Sequence, residues 1–171
     1  MCGCDSQQPK CDNSGMTKWL FAAVVAIGLC GCGSKPTTVA DEAAVRQTIA
    51  GIEQQINRGD IGFVNVFAND AVIIAPSAPD IVGLDAIRKM YTDLMKQASM
   101  TVHFSTEEVA VTGDMAFEHG TYTLRIADKA TGRLLQDAKN KHVHIFKRQP
   151  DGTWKTWRMM VSSAEPAPAQ K

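Results

Sequence analysis

The sequence predicts an α+β fold in which three helices precede a cone-shaped, curved antiparallel sheet. Apolar residues recur with a period of 3.6 up to about residue 97, and beyond that point they alternate with a period of two. Turn residues separate the alternating segments, as in antiparallel hairpins. Helices gathered on one side of so strongly curled a sheet would close a cone, and a cone has a pocket.

The helices precede most of the strands. The first is expected over residues 39–58, a short second helix over 61–67 and a third over 84–97, with a buried strand over 70–75 between the last two. The first helix carries one apolar stripe, formed by Val45, Ile49, Ile52 and Ile56. These spacings predict helices that each bury a single face.

The strands follow as two hairpins. Residues 101–112 and 115–127 flank Gly113-Asp114, and residues 133–146 lead to a last strand through the turn 149–152 (QPDG). Proline and glycine in that turn suit its fixed and positive φ angles.

Composition excludes several classes of function. The chain of 171 residues has 18 basic and 18 acidic side chains and no basic stripe, so we expect no nucleic-acid partner. All five cysteines lie within the first 32 residues, so the folded part has no disulfide or thiolate metal site. No phosphate loop or dinucleotide-binding glycine pattern occurs, and no cofactor is expected.

The N-terminal region has the pattern of a bacterial lipoprotein signal. Residues 16–31 contain Lys18 and then a short apolar segment, too short to span a bilayer. The sequence around Cys32 resembles the lipobox, which implies lipidation of Cys32, a tether over 32–37 and a place in the bacterial envelope, at the outer membrane facing the periplasm. A plain signal peptide and a buried helix are the alternatives. Residues 1–15 are then expected to be an over-extended start.

Five short motifs carry a family resemblance across residues 38–163, ahead of a disordered tail at 164–171. They are residues 57–60 (NRGD), 67–72 (FANDAV), 83–88 (GLDAIR), 112–116 (TGDMA) and 146–154 (FKRQPDGTW). In this order they resemble the SnoaL-like branch of the nuclear transport factor 2-like superfamily, a distant relative of ketosteroid isomerase. The resemblance implies the cone fold, and the fold does not by itself fix a function.

Ketosteroid isomerase chemistry needs an acidic base, a tyrosine and a protonated acid. On this chain the resemblance places those roles at Ala75, Ile52 and His144, so all three positions lack the required group. Steroid isomerisation by that mechanism is not expected.

The same resemblance implies which side chains line the pocket. They are Tyr91, Phe117, His119, Thr121, His142, His144, Phe146, Trp157 and Met159. Within this set His119, His144 and Tyr91 are the candidate catalytic groups. Trp154 is expected on the outer surface or in a dimer contact, and Trp157 in the core or the pocket wall.

Three histidines in one cavity could serve in several ways. They could be hydrogen-bonded fillers, acid–base or ligand-orienting groups, or metal ligands, with His119, His142 and His144 as weak metal candidates because two of them alternate on one strand. Glu118 is expected on the face opposite His119 and therefore away from such a site.

Three functions remain open, and one of them is a structural or assembly subunit, which would need a large exposed apolar sheet face with no pocket behind it. The first is a lipid-anchored module, expected to be a homodimer, that binds a small, largely apolar molecule in its pocket. The alternative is a histidine-based isomerase, hydrolase or cyclase with His144 or His119 as the general base.

Overall fold

The structure is a computed structural model that describes residues 39–164. The predicted leader, Cys32, the tether and all but the first residue of the predicted tail lie outside the described residues. No helix within the described part is long and apolar enough to cross a membrane.

The helices occupy the predicted positions. Helix α1 is Val39–Asn57, a 3₁₀ helix covers Ile61–Val66, and α2 is Leu84–Gln97. The predicted stripe of α1 is its buried face, and Asp60 caps the 3₁₀ helix by accepting a 2.7 Å hydrogen bond from the backbone N–H of Gly62.

Six strands form one sheet in the order β2-β1-β6-β5-β4-β3. Their bounds are β1 Phe67–Ile74, β2 Ile81–Val82, β3 Ala98–Thr112, β4 Met115–Asp128, β5 Leu134–Arg148 and β6 Trp154–Ser163. All neighbours are antiparallel except β1 and β6, which run parallel. The last strand therefore lies beside the first and joins the helical half of the chain to the two hairpins.

The helices cover one side of the sheet, which we call the inner face. Buried residues of α1 and the 3₁₀ helix pack there against β3, β4, β5 and β6 in one apolar cluster. A second cluster joins β1 to α2 around Ile87, which is completely buried. The side of the sheet turned away from the helices is the outer face.

Two irregularities change which side chains point inward. A bulge in β3 lies between Thr106 and Glu108, and another in β6 leaves Trp157 between Thr156, which pairs with Phe146, and Arg158, which pairs with Ile145. A bulge inserts one extra residue into the alternation, so the residues beyond it face the other side.

Gly120 in β4 lies beside the first of these bulges. A Cβ atom at this position would collide with the backbone carbonyl oxygen of Ser105. A side chain there is therefore excluded by the close approach of β3 to β4.

Candidate functional site

An internal cavity of about 360 Å³ lies between the inner face and the helices. We call it the interior cavity. Its walls come from α1, the 3₁₀ helix, α2 and all six strands, and most of them are apolar, including Ile52, Phe63, Met100, Leu124 and Met159. The volume is near the lower end of the 300–1,000 Å³ or so that is usual for ligand pockets, so it suits a small molecule.

Few polar side chains border the interior cavity. They are Tyr91, Tyr122, Gln136 and His144. Burial raises the pKa of both tyrosines, and the proximity of Tyr122 raises that of Tyr91 further. Both phenols are therefore protonated near neutral pH and can donate hydrogen bonds.

His144 is the most unusual of these groups. It is only 1% exposed, and neither ring nitrogen has a hydrogen-bond partner. Burial lowers the pKa of His144 to about 4, although Glu118 opposes that shift. The imidazole is thus neutral near pH 7, and its polar atoms are unsatisfied.

A buried carboxylate lies next to this imidazole. Glu118 of β4 accepts a 2.8 Å hydrogen bond from the hydroxyl of Thr106 and hydrogen bonds from Nε2 of His142, which is 3.0 Å from each carboxylate oxygen. Its Oε2 is 3.9 Å from Nδ1 of His144, beyond hydrogen-bond length. We call Thr106, Glu118, His142 and His144 the carboxylate cluster.

The hydrogen bonds of this cluster keep Glu118 ionised. Burial alone would raise the pKa of Glu118, but the hydrogen bond from His142, the nearby imidazoles and the hydroxyl of Thr106 together bring it below its usual value. The inner face therefore holds a negative charge that is 0% exposed.

The structure separates the predicted pocket residues. Tyr91, His144 and Met159 border the interior cavity. His142 and Phe146 point to the same side but are buried beside the cavity, in the carboxylate cluster and in the apolar core.

Phe117, His119 and Thr121 do not share this cavity, which corrects the prediction. Strand pairing sets Glu118 opposite His144 and His119 opposite Val143, so the even-numbered residues of this part of β4 face inward. The three odd-numbered residues lie on the outer face, where His119 contacts Glu107 and Glu108. Glu118 therefore faces the same side as His142 and His144, and the expected placement of His119 with them was wrong.

The two tryptophans are likewise corrected. Trp157 is the extra residue of the β6 bulge and lies on the outer face, where its Nε1 donates a 2.9 Å hydrogen bond to Asp70. Trp154 is 5% exposed and belongs to the core, with the guanidinium of Arg148 over its ring. Each residue thus occupies the side expected for the other.

The three-histidine metal site is also not formed. His119 and the pair His142 and His144 lie on opposite faces of the sheet. Among residues 39–164, no group of three or more histidine, cysteine, aspartate or glutamate side chains could hold a metal ion.

Glu118 and Tyr122 are the site residues that the sequence reading missed. The signal was the alternation later in the same strand, where Tyr122, Leu124 and Ile126 are apolar and the intervening Thr123 and Arg125 are polar. Extending that period back along β4 places Glu118 inward.

Comparisons with known proteins agree with this architecture. The sequence model of the SnoaL-like domain matches residues 39–160. Among curated proteins, no sequence matches the chain. Eight of the solved structures that resemble it share between 14% and 22% of aligned residues with it, a level that establishes the fold alone.

Three of those structures illustrate the likeness. A ketosteroid isomerase-like protein from Erwinia carotovora atroseptica has a TM-score of 0.66 at 22% identity, over 75% of this chain and 100% of that one. A nuclear transport factor 2-like superfamily protein from Salmonella enterica serovar Typhimurium has a TM-score of 0.66 at 14% identity, over 77% of this chain and 96% of that one. A protein from Catenulispora acidiphila in complex with S-DNPA has a TM-score of 0.62 at 15% identity, over 74% of this chain and 95% of that one.

The neutral, buried state of His144 predicts a loss of stability in mild acid. Between its ordinary pKa of 6.5 and about 4 in the folded chain, the unfolded chain binds a proton that the folded chain does not. Stability should therefore fall as the pH falls through this range, by roughly 3 kcal/mol from this residue. Urea unfolding at several pH values should show a shallower fall for His144→Leu than for the unmodified protein.

His103→Gln is the matched control, because the His103 side chain is 74% exposed. It should leave the dependence on pH unchanged. Equal slopes for His144→Leu and the unmodified protein would contradict a buried neutral imidazole.

Proposed function

This chain belongs to the SnoaL-like domain family, and from that premise we propose that it binds a small, largely apolar molecule in the interior cavity. One observation carries the proposal. The cavity has apolar walls, and the buried imidazole at its border has two nitrogens without a hydrogen-bond partner. Nearly all buried polar groups in proteins have a partner, so an unsatisfied one beside a cavity suggests a missing ligand.

The energies favour such a ligand. An unpaired buried polar group costs about 1–3 kcal/mol, which a ligand that bonds to His144 would recover. Apolar contact with the walls contributes further, at roughly 25 cal/mol for each Å² removed from water. A molecule with an apolar body and one polar group matches both features.

A relative supports ligand binding by this fold. The structure from Catenulispora acidiphila was solved in complex with S-DNPA, so that protein takes a ligand. Its identity to the present chain is 15%, and the ligand of this chain must therefore be inferred from its own cavity.

A second candidate function is catalysis with His144 as a general base. Its support is the neutral imidazole at the cavity border with an ionised carboxylate behind it. A histidine with a pKa of about 4 is a weak base, which disfavours proton abstraction near neutral pH. His119, the other candidate base, lies on the outer face beside two glutamates.

Binding is tested with 2-methylnaphthalene as a neutral, apolar probe. The unmodified full chain should bind it with measurable heat or a change in ligand NMR signals. Leu124→Trp should weaken binding by at least about tenfold, because the larger side chain fills space that the probe needs. Mass spectrometry of the recovered probe separates binding from conversion, since a catalysed change would alter the molecule.

Thr123→Trp is the matched control on the same strand. Thr123 is exposed and directed to the other face, so this variant should bind the probe as the unmodified chain does. Failure of the unmodified chain to bind, or equal binding by Leu124→Trp, would overturn the proposal.

The outer face suggests a second copy of the chain as a partner, and we propose a homodimer formed there. The half-buried side chains Phe117 and Val143 and the 41% exposed Met160 form its apolar centre. Glu107 and Glu108 of β3 make one side of this face acidic. Lys147 and Arg158, which pack on the ring of Trp157, make the opposite side, at β6, basic. A two-fold axis along the strands would place the acidic side of one copy over the basic side of the other.

Light scattering tests the dimer. The unmodified chain should have the mass of two copies, and Val143→Arg should reduce it to one by placing a charge at the apolar centre. Thr101→Arg, at an exposed position far along β3, should remain dimeric. A monomeric mass for the unmodified chain would contradict the interface.

We also propose that the protein is held at the bacterial envelope, at the periplasmic side of the outer membrane, by a lipid on Cys32. The support is the lipobox-like sequence that ends at this cysteine. Mass spectrometry of the membrane fraction should find a diacylglyceryl group on an N-terminal Cys32. A soluble product that retains residues 16–31 would contradict the anchor, and Cys32→Ser should release the protein from membranes.

A further inference from the structure

The charges around the interior cavity restrict the kind of molecule that can occupy it. Among the described residues that border the cavity, none is lysine or arginine. The ionised Glu118 lies close to one of the border residues, with its Oε2 3.9 Å from Nδ1 of His144. An anionic ligand would find no counter-ion in the cavity walls and would meet the field of this carboxylate in a region of low dielectric constant.

The carboxylate also determines which nitrogen of His144 carries the proton. Nδ1 is the nitrogen on the side of Glu118, and a negative charge at that distance favours an N–H bond directed toward it. We assign the proton to Nδ1 on this electrostatic ground. Nε2, at the other side of the ring, is then a bare acceptor without a partner.

A bare acceptor requires a ligand that donates. A ligand carbonyl has no proton to offer, so it cannot satisfy Nε2 of His144. A hydroxyl group can donate to Nε2, and its own oxygen can accept from the protonated phenols that border the same cavity, Tyr91 and Tyr122. This pattern distinguishes an alcohol or phenol from a ketone or an ether.

A cationic ligand is disfavoured for a different reason. Glu118 already accepts hydrogen bonds from Thr106 and His142, and it is not one of the described residues that border the cavity. An ammonium group could donate to Nε2 of His144, but it would give up its hydration without a carboxylate among the described residues that border the cavity.

We propose that the ligand class of the interior cavity is a neutral molecule with an apolar body and a single hydroxyl group, which donates its hydrogen bond to Nε2 of His144. This inference rests on the proposed function, because it names the chemistry of the molecule that the cavity binds. It goes beyond that function by assigning the donor, the acceptor and the charge of the ligand. Glu118 acts as a positioning residue, since it sets the tautomer of His144 without touching the ligand.

The experiment compares three probes of one shape on the full chain, 2-naphthol, 2-methylnaphthalene and 2-naphthoate, by isothermal titration calorimetry. The first has a hydroxyl donor, the second has a methyl group in its place, and the third has an anion. The affinity ratio of 2-naphthol to 2-methylnaphthalene should fall about tenfold in His144→Leu, which removes the acceptor. His119→Leu is the control, because His119 also has carboxylate neighbours but lies on the outer face. It should leave the affinity ratio unchanged.

The charge is tested by Glu118→Gln. This variant replaces the carboxylate with an amide of similar shape, which removes the negative charge and leaves one oxygen that can accept from Thr106 and His142. The affinity for 2-naphthoate should rise on the order of tenfold relative to the unmodified chain. Glu108→Gln, which removes an exposed carboxylate from the outer face of β3, should change it little.

The outcomes separate the two proposals. If neither neutral probe binds, the proposed function fails and this inference fails with it. If both bind but His144→Leu leaves their ratio unchanged, or the unmodified chain binds 2-naphthoate as tightly as 2-naphthol, only the hydroxyl assignment is overturned. If Glu118→Gln does not fold, the hydroxyl assignment is tested by two other results. These are the order of the three probe affinities in the unmodified chain and the ratio of 2-naphthol to 2-methylnaphthalene affinity in His144→Leu.

Discussion

The hydrogen bonds of Glu118 are the constraint on which this domain depends. Thr106 of β3, Glu118 of β4 and His142 of β5 join three adjacent strands through one carboxylate that is completely buried. Loss of one partner of a buried ionised group typically costs about 3–5 kcal/mol, because the charge is left uncompensated. A shift of β4 by one residue would move Glu118 to the outer face and replace it with an apolar or imidazole side chain. The cluster therefore fixes the register of β3, β4 and β5 and thereby which residues of these three strands border the interior cavity.

The same constraint connects stability to binding. The buried charge keeps the neighbouring His144 in one tautomer, while burial keeps it neutral. This arrangement costs free energy of folding, because the nitrogens of the imidazole have no hydrogen-bond partner in the folded chain. Polar groups in such a state are common at binding sites, since a ligand can supply what the protein lacks. The apolar cluster beneath α1 supplies the stability that tolerates this cost.

The sequence predicted the elements better than the side on which their residues lie. Helical spacing located α1 and α2 because each buries one regular stripe, and the turn at residues 149–152 located the last hairpin. The face of Glu118 and His119 was misassigned because the pocket residues of this strand were taken from the resemblance and not from the alternation within the strand itself. Trp157 could not be placed by alternation at all, since a bulge shifts the period and leaves no local signal in the sequence. A cavity was expected from the resemblance, and His144 lies at the border of the interior cavity.

The positions to which the resemblance assigns the groups of ketosteroid isomerase surround a common space in this chain. Ile52, Ala75 and His144 all border the interior cavity, although none supplies an acid. A carboxyl group at position 144 would lie close to the ionised Glu118, and two buried acids so near each other cannot both ionise at moderate cost. A neutral imidazole avoids that repulsion and retains a hydrogen-bonding atom at the border. The buried charge of Glu118 is therefore compatible with a cavity that orients a neutral ligand, and it opposes the accumulation of negative charge that an enolate intermediate would require.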